Sequence, residues 1–255
     1  MQTTAPDTYR REWFLTAGET DARGLMPVTL IAARAIEIAT LHANSLNIGY
    51  SNLAEHRLGW VLARLTIEVT RYPAINETYS METWIEGYNR YFSDRCYVML
   101  DGEGRPAAHI RSVWVAIDMA TRSLADLTEL ERECFPVATR ECGVAKSPKP
   151  AAARGAEPER ADYTFRYCDI DFNRHVNTIR YLDLVLNLQP LEFYDSHDIV
   201  RLDASFDHEC YFGEHVSLLT APARRDPEAR ITEIMRADGK RAVGVELKTA
   251  PRQSE

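Results

Sequence analysis

Two stretches of the chain repeat apolar residues at helical spacing. The first runs from Val28 to Leu46, before Gly49, and its apolar positions are Leu30, Ala33, Ile38 and Leu41. The second runs from Asn177 to Leu188, before Pro190, and its apolar face carries Tyr181, Leu184, Val185 and Leu188. Glycine beyond a helix end and a proline stop are ordinary C-terminal signals. The pattern predicts two amphipathic helices far apart in the chain.

Extended segments follow each helix, and they repeat. Arg64-Leu65 falls on Arg201-Leu202 at an offset of 137 (201 − 64), and without a gap the same offset aligns Glu77 with Glu214, Ser80 with Ser217 and Thr83 with Thr220. Before each helix, Asp21 and Asp171 align at an offset of 150 (171 − 21). We attribute the difference of 13 (150 − 137) to a longer loop in the first copy, around Asn44 to Gly59. Such self-similarity indicates two copies of one structural unit.

Each copy therefore reads as a strand, a helix and about four more strands. The predicted strand from Ser112 to Ile117 in the first copy corresponds to the one from Arg241 to Leu247 in the second. A helix packed on one face of an antiparallel sheet is an α+β arrangement. We place the first domain at 1–130, a linker rich in proline and alanine at 131–160, and the second domain at 161–255. A short helix from Leu127 to Glu133 is compatible with this linker.

Composition narrows the class of protein. The net charge of −8 argues against a general nucleic-acid binder. No apolar run approaches the roughly 20 residues of a membrane span. The N-terminus has no apolar signal-like stretch, so we expect a cytoplasmic protein. The five cysteines, Cys96, Cys134, Cys142, Cys168 and Cys210, lack the paired spacing of a zinc site, so we expect reduced thiols and no metal.

The densest polar cluster lies where the chain enters the second helix. Asp171, Asn173 and His175 occupy alternate positions there, and Asn177 follows. Alternation predicts that their side chains share one side of an extended segment. The unpaired N–H groups of a helix N-terminus add a place to stabilise an oxyanion. A single Asp or Asn here is more often a helix cap, but the four residues together indicate a functional site.

The pattern Asp-x-Asn-x-His-Val-Asn, with Tyr181 four residues later, resembles the motif of plant and bacterial fatty acyl-ACP thioesterases. The resemblance extends from about Tyr9 to Ala250, and it includes Gly59 to Arg64, Arg71-Tyr72-Pro73, Ser112 to Val115, Pro190 to Tyr194 and His208-Glu209-Cys210. It implies two tandem hotdog domains, each a long helix packed on an antiparallel sheet. It also implies acyl carrier protein (ACP) as partner, and neither a metal nor an organic cofactor.

The same resemblance assigns the catalytic residues. The family's acid, amide and imidazole fall on Asp171, Asn173 and His175, its second carboxylate on Glu209, and its cysteine on Cys210. The first copy lacks this set, because Arg23, Leu25, Tyr72 and Pro73 stand at the positions of Asn173, His175, Glu209 and Cys210. We therefore expect one catalytic copy and one that shapes an acyl tunnel.

Three mechanisms stay open at this stage. In the favoured one, Glu209 and His175 activate water, Asp171 holds the water or assists the base, and Asn173 polarises the carbonyl. The rivals are attack by Cys210, activated by His175, and direct attack by Asp171. The neighbouring Glu209 disfavours a Cys210 thiolate.

Alternative functions also stay open. The same fold supports an acyl-CoA thioesterase, or a hydratase or dehydratase acting on acyl thioesters. We also keep a homodimer as a possible assembly, whereas acyl chain length is not encoded in any motif that we identify.

Overall fold

A computed structural model describes residues 7–127 and 136–252. The chain divides into two compact units, Met1–Lys146 and Ser147–Glu255. The predicted helix from Leu127 to Glu133 and the thiol of Cys134 lie outside the described residues, apart from Leu127 itself. The domain limits at 130 and 161 stay a prediction.

The first unit is one long helix packed against an antiparallel sheet. Its strands, in chain order, are β1 Thr8–Phe14, β2 Leu58–Val69, β3 Thr78–Tyr88, β4 Phe92–Leu100 and β5 Pro106–Asp118. They lie in the order β1-β3-β4-β5-β2, and every neighbouring pair is antiparallel. Helix α1, Val28–Ser45, packs on β1 and β3, and a short helix α2, Tyr50–Glu55, precedes β2. The helix buries Ile31, Ala35, Ile38, Ala39 and His42.

The second unit repeats this plan. Its strands are β6 Glu159–Thr164, β7 His197–Phe206, β8 His215–Pro222, β9 Arg230–Arg236 and β10 Arg241–Pro251. Their order, β6-β8-β9-β10-β7, is that of the first unit with each number raised by five. Helix α3, Thr178–Leu186, packs on β10, and a short helix α4, Leu191–Ser196, precedes β7. The tandem arrangement predicted from the repeats is confirmed.

The turn before β3 and the turn before β8 are closed by the same side-chain hydrogen bond. In the first, Glu77 Oε2 accepts the N–H of Ala74 at 3.2 Å, and in the second, Glu214 Oε2 accepts the N–H of Tyr211 at 3.1 Å. Asn76 and Gly213 both adopt left-handed backbone, with φ of 66° and 77°. Glycine and asparagine are the residues that tolerate this conformation best.

The two helices differ in length more than the sequence pattern suggested. Helix α1 has 18 residues, and its observed end at Ser45 lies one residue before the predicted end. Helix α3 has only nine, since the chain turns at Asn187 and Pro190 then begins α4. The loop expected between Asn44 and Gly59 contains α2.

The segment between the domains is held by both units in turn. Ala138 donates its N–H to Ile85 O at 3.0 Å, and Lys146 Nζ lies 2.6 Å from Asp94 Oδ2, both within the first unit. Further along, Ala153 donates to Pro222 O at 3.0 Å, within the second. Over residues 7–127 and 136–252, no helix is long and apolar enough to cross a membrane.

Candidate active site

The polar cluster of the second unit forms a tight hairpin just before α3. Ile170 and Val176 form an antiparallel bridge at its base. Asp171 N donates to His175 O at 2.8 Å, and Arg174 N donates to Asp171 O at 3.0 Å. Arg174 has a left-handed φ of 64°. The predicted extended segment with alternating side chains is therefore wrong, because the chain reverses between Asp171 and His175.

Asp171 holds this hairpin closed. Its Oδ1 accepts the N–H of Asn173 at 2.8 Å and the N–H of His175 at 3.2 Å. A hydrogen bond to a charged acceptor typically contributes about 1.5–3 kcal/mol to the stability of the folded state. We therefore expect Asp171→Ala to weaken the hairpin as well as the chemistry.

His175 and Glu209 form the central pair of the site. His175 Nδ1 lies 3.3 Å from Glu209 Oε1, and both side chains are partly buried. The backbone brings them together, since His175 bridges Tyr211 and Val176 N donates to Cys210 O at 2.9 Å. The imidazole also packs edge-on against Tyr211, with ring centroids 5.2 Å apart. An imidazole held at Nδ1 by a carboxylate presents Nε2 for proton transfer.

Cys210 is adjacent in sequence but sits in a different environment. Its side chain is fully buried, and its backbone N–H donates to the hydroxyl of Tyr181 at 3.0 Å. Burial raises the pKa of the Cys210 thiol to about 11, and the carboxylate of Glu214 adds to the rise. The carboxylates that oppose ionisation are thus Glu214 and, more weakly, Asp238, rather than the Glu209 that the sequence suggested. A buried thiol with a raised pKa is a poor nucleophile at neutral pH.

The two asparagines of the motif separate into different environments. Asn177 is the N-cap of α3, and its side chain accepts the N–H of Ile179 at 2.9 Å, so the capping explanation holds for this residue. Asn173 is exposed at the hairpin tip. In the parts of the chain that the structure describes, its side-chain amide has no protein partner. That amide is available to a ligand.

The first unit contains the same hairpin without this chemistry. Asp21 Oδ1 accepts the N–H of Arg23 at 2.9 Å and the N–H of Leu25 at 3.0 Å. Its second oxygen is covered by the Arg23 guanidinium, with Nη2 at 3.1 Å. Gly24 takes the left-handed position of Arg174, with φ of 74°. Leu25 replaces His175, so no base faces outward here.

Several residues of the site carried no clear signal in the sequence. Tyr211 packs on His175, and its only signal was its position next to Cys210. Asp169 is buried, and its Oδ2 accepts the N–H of Arg166 at 2.7 Å and the hydroxyl of Tyr163 at 3.0 Å. The hairpin and its neighbouring loops expose four large aromatic side chains, which are Tyr211 itself, Tyr167, Phe172 and Phe212.

Among residues 7–127 and 136–252, no group of three or more His, Cys, Asp or Glu side chains is placed to hold an ion. The absence of a metal stays a prediction.

Comparisons with known proteins agree with this architecture. Residues 6–133 match the model of the acyl-ACP thioesterase N-terminal domain, and residues 152–249 match that of the C-terminal domain. An oleoyl-ACP thioesterase of Coriandrum sativum is 24% identical over 94% of this chain and 69% of its own length. Oleoyl-ACP thioesterase 2 of Arabidopsis thaliana is 27% identical over 84% of this chain, which spans only 62% of that relative.

Two solved structures extend the comparison to three dimensions. An acyl-ACP thioesterase from Bacteroides thetaiotaomicron superposes with a TM-score of 0.86 at 26% identity, covering 96% of this chain and 98% of its own. The 12:0-ACP thioesterase of Umbellularia californica has a TM-score of 0.82 at 20% identity, covering 97% and 98%. At that identity, the second match supports the hotdog fold alone.

Proposed function

The chain belongs to the acyl-ACP thioesterase family, and on that premise we propose that it hydrolyses fatty acyl-ACP to free fatty acid and ACP in its second unit. The observation that carries this proposal is the His175 Nδ1–Glu209 Oε1 contact of 3.3 Å beside the Asp171 hairpin. A carboxylate-oriented imidazole on an exposed loop is an arrangement suited to activating a nucleophile.

We infer that the nucleophile is water. With Nδ1–H donating to Glu209, Nε2 of His175 takes a proton from water, and the water oxygen bonds to the thioester carbonyl carbon. The C–S bond of the resulting tetrahedral intermediate then breaks. The carrier leaves as a thiolate, and the proton held on His175 returns to that sulfur or to solvent.

Asn173 and Asp171 have supporting roles in this scheme. The exposed Asn173 amide donates to the carbonyl oxygen as negative charge develops there, an interaction whose loss typically costs about 10²–10³ in rate. Asp171 Oδ1 is engaged by two backbone N–H groups. Its second oxygen is the one available to orient the attacking water.

The covalent alternatives are less well supported. Cys210 is fully buried with a raised thiol pKa, and the described contacts of His175 lead to Glu209 and Tyr211. Direct attack would use the Asp171 carboxylate as the nucleophile, although that carboxylate already accepts the two N–H groups that close the hairpin. Both observations favour water.

The carrier partner is acidic, and so is this chain, with a net charge of −8. We propose that ACP docks on exposed arginines of the hairpin and its flanks, above all Arg174 at the tip, together with Arg166 before the hairpin and Arg180 in the first turn of α3. Arg180 also forms an ion pair within its own helix, with Nη1 2.9 Å from Asp183 Oδ2. Arg57, Arg64 and Arg71 of the first unit are further exposed cations, and Arg71 Nη2 lies 2.6 Å from Glu77 Oε1.

Salt dependence tests this docking surface. Screening lengths fall from about 30 Å at 0.01 M salt to about 3 Å at 1 M. KM for acyl-ACP should therefore rise with ionic strength, and Arg174→Ala should raise it at low salt, while KM for the matching acyl-CoA responds less to both changes. A KM for acyl-ACP that ignores salt contradicts the docking proposal.

One assay tests the function directly. Acyl-ACPs of increasing chain length are supplied with EDTA present, and free fatty acid is measured against acyl-CoA of the same chain. We expect release from ACP without added metal, and more efficiently than from CoA. Loss of activity in EDTA that zinc restores, or water addition to a crotonyl thioester in place of hydrolysis, would overturn the proposal. Cytoplasmic location and a homodimer stay predictions for fractionation and light scattering.

A further inference from the structure

Two cysteines of the first unit lie side by side, away from the site described above. Cys96 is on β4, where its side chain packs with Trp84, Val98 and Ala138. Cys142 belongs to the segment 137–146 and packs against the same cluster. Trp84, Cys96 and Arg111 are neighbours across β3, β4 and β5, and Trp84 and Arg111 bind Arg140 O and Val144 O on either side of Cys142, which places the two thiols against each other. Thiols in contact on two separate stretches of chain are placed to be joined.

The surroundings of Cys142 favour its thiolate. The Cys96 thiol faces its sulfur, and the backbone N–H of Val144 and the Arg111 guanidinium are close by. Together these lower the pKa of the Cys142 thiol to about 7, whereas the pKa of Cys96 is raised. Burial of the thiol opposes the effect, and so does the negative charge of Glu86, whose Oε1 accepts from Arg111 Nη2 at 2.9 Å.

The segment that carries Cys142 is fixed in place on both sides of it. Trp84 Nε1 donates to Arg140 O at 3.0 Å, and Arg111 Nε donates to Val144 O at 3.1 Å. When protonated, Cys142 donates to Ile110 O at 3.7 Å. These contacts hold the two sulfurs together without a covalent bond.

Exposure assigns different roles to the two thiols. Cys142 is partly exposed, so a small oxidant reaches it, whereas Cys96 is fully buried behind it. We propose that this pair is a redox-active dithiol, in which Cys142 reacts with a hydroperoxide and Cys96 then completes a Cys96–Cys142 disulfide.

The chemistry balances with hydroperoxide as the oxidant. The Cys142 thiolate attacks one peroxide oxygen, the O–O bond breaks, and Cys142 sulfenic acid and hydroxide form. The Cys96 sulfur then attacks the Cys142 sulfur, and the sulfenic oxygen leaves as water with the Cys96 proton. With hydrogen peroxide, two thiols lose two electrons and one peroxide becomes two waters.

The other described thiols differ from this pair. Cys168 is exposed, with no pairing to a second thiol, and Cys210 is fully buried with a raised pKa. Cys168 is therefore an internal reference for ordinary reactivity, and oxidation at Cys142 should outpace it.

Alkylation of the full chain with iodoacetamide across pH tests the thiolate. We expect the rate at Cys142 to be half-maximal near pH 7, and Cys96→Ala to lower its rate at pH 7 by about tenfold or more, since an unperturbed thiol near pKa 8.5 is only a few per cent ionised there. A Cys142 that alkylates no faster than Cys168 at pH 7, or that ignores Cys96→Ala, contradicts the proposal.

Peroxide treatment followed by non-reducing peptide mapping tests the bond. We expect a Cys96–Cys142 linked peptide that dithiothreitol reverses, and a higher thermal midpoint for the oxidised chain. In Cys96→Ala, Cys142 should instead go on to the sulfinic acid. Cys142→Ser, a change on a partly exposed segment, should leave Cys96 reduced, which keeps the test decisive if Cys96→Ala folds poorly. The proposal is overturned if Cys142 is linked to any other cysteine, or if Cys168 is oxidised before Cys142.

Discussion

The two units carry one hairpin in two versions. At Asp21 and at Asp171, a carboxylate oxygen accepts two backbone N–H groups at 2.8 to 3.2 Å and closes the same turn. In the first unit Arg23 covers the remaining carboxylate oxygen and Leu25 fills the next position. In the second, Asn173 stands at the position of that arginine, and His175 Nδ1 lies 3.3 Å from Glu209 Oε1. The backbone is shared, and two side chains per hairpin set the difference.

This difference indicates how a structural turn acquires chemistry. The aspartate is needed for the turn in both units, so its presence alone says nothing about catalysis. The second unit differs at two positions. It lacks the arginine that neutralises the carboxylate in the first unit, and His175, with Glu209 as its partner, takes the place of Leu25. Variants of His175, Glu209 and Asp171, each set against its counterpart in the first unit, test this difference.

The largest effect is expected at His175. Removing the base that takes the proton from water should lower kcat by about 10²–10⁴, the usual contribution of a positioned general base. The matched variant is Leu25→Ala, which changes the same hairpin position in the first unit. Steady-state kinetics on acyl-ACP should find His175→Ala nearly inactive and Leu25→Ala close to the parent. Equal losses in both variants would remove the distinction between the units.

A smaller loss is expected at Glu209. Glu209→Gln keeps a hydrogen-bond acceptor for His175 Nδ1 but removes the charge that stabilises the imidazolium. A loss of about 1.4–2.8 kcal/mol in the barrier, or about tenfold to a hundredfold in kcat, follows from weakening such a charged hydrogen bond. Tyr72→Phe, at the matching position of the first unit, is the control. If Glu209→Gln kept full kcat, its pairing with His175 would be structural only.

The smallest effect is expected at Cys210. Its buried thiol, with a pKa raised to about 11, takes no part in the water mechanism. Cys210→Ala should lose at most about tenfold in kcat, equivalent to about 1.4 kcal/mol, from altered packing beside Tyr181. The covalent mechanism instead predicts that Cys210→Ala loses several orders of magnitude in kcat. An acyl adduct on Cys210 after rapid quench, together with an inactive Cys210→Ala, would replace water by cysteine.

Much of the fold follows from the sequence, and the reasons are local. The apolar periodicity and the following glycine placed α1 within one residue of its observed end, at Ser45. The repeat predicted the same order of elements in both units. The length of α3 was overestimated, because apolar residues continue through the turn that ends at Pro190.

The geometry of the site was less accessible from the sequence. Contact between His175 and Glu209 joins residues 34 positions apart (209 − 175), and only the family resemblance pointed to Glu209. The hairpin was misjudged because arginine rarely adopts a left-handed backbone. A signal was nevertheless present, since Gly24 aligns with Arg174 at the offset of 150, and glycine there indicates a tight reversal.

The central claim is that Asp171 combines the structural role of Asp21 with a chemical one. Asp171→Asn and Asp21→Asn both keep an oxygen that accepts the two backbone N–H groups, while each removes the charge. The decisive measurement is kcat/KM of both variants on the same acyl-ACP, with thermal midpoints recorded alongside. We predict that both stay folded, that Asp171→Asn loses more than about tenfold, over 1.4 kcal/mol of transition-state stabilisation, and that Asp21→Asn stays near the parent. Equal activities in the two variants would contradict the account.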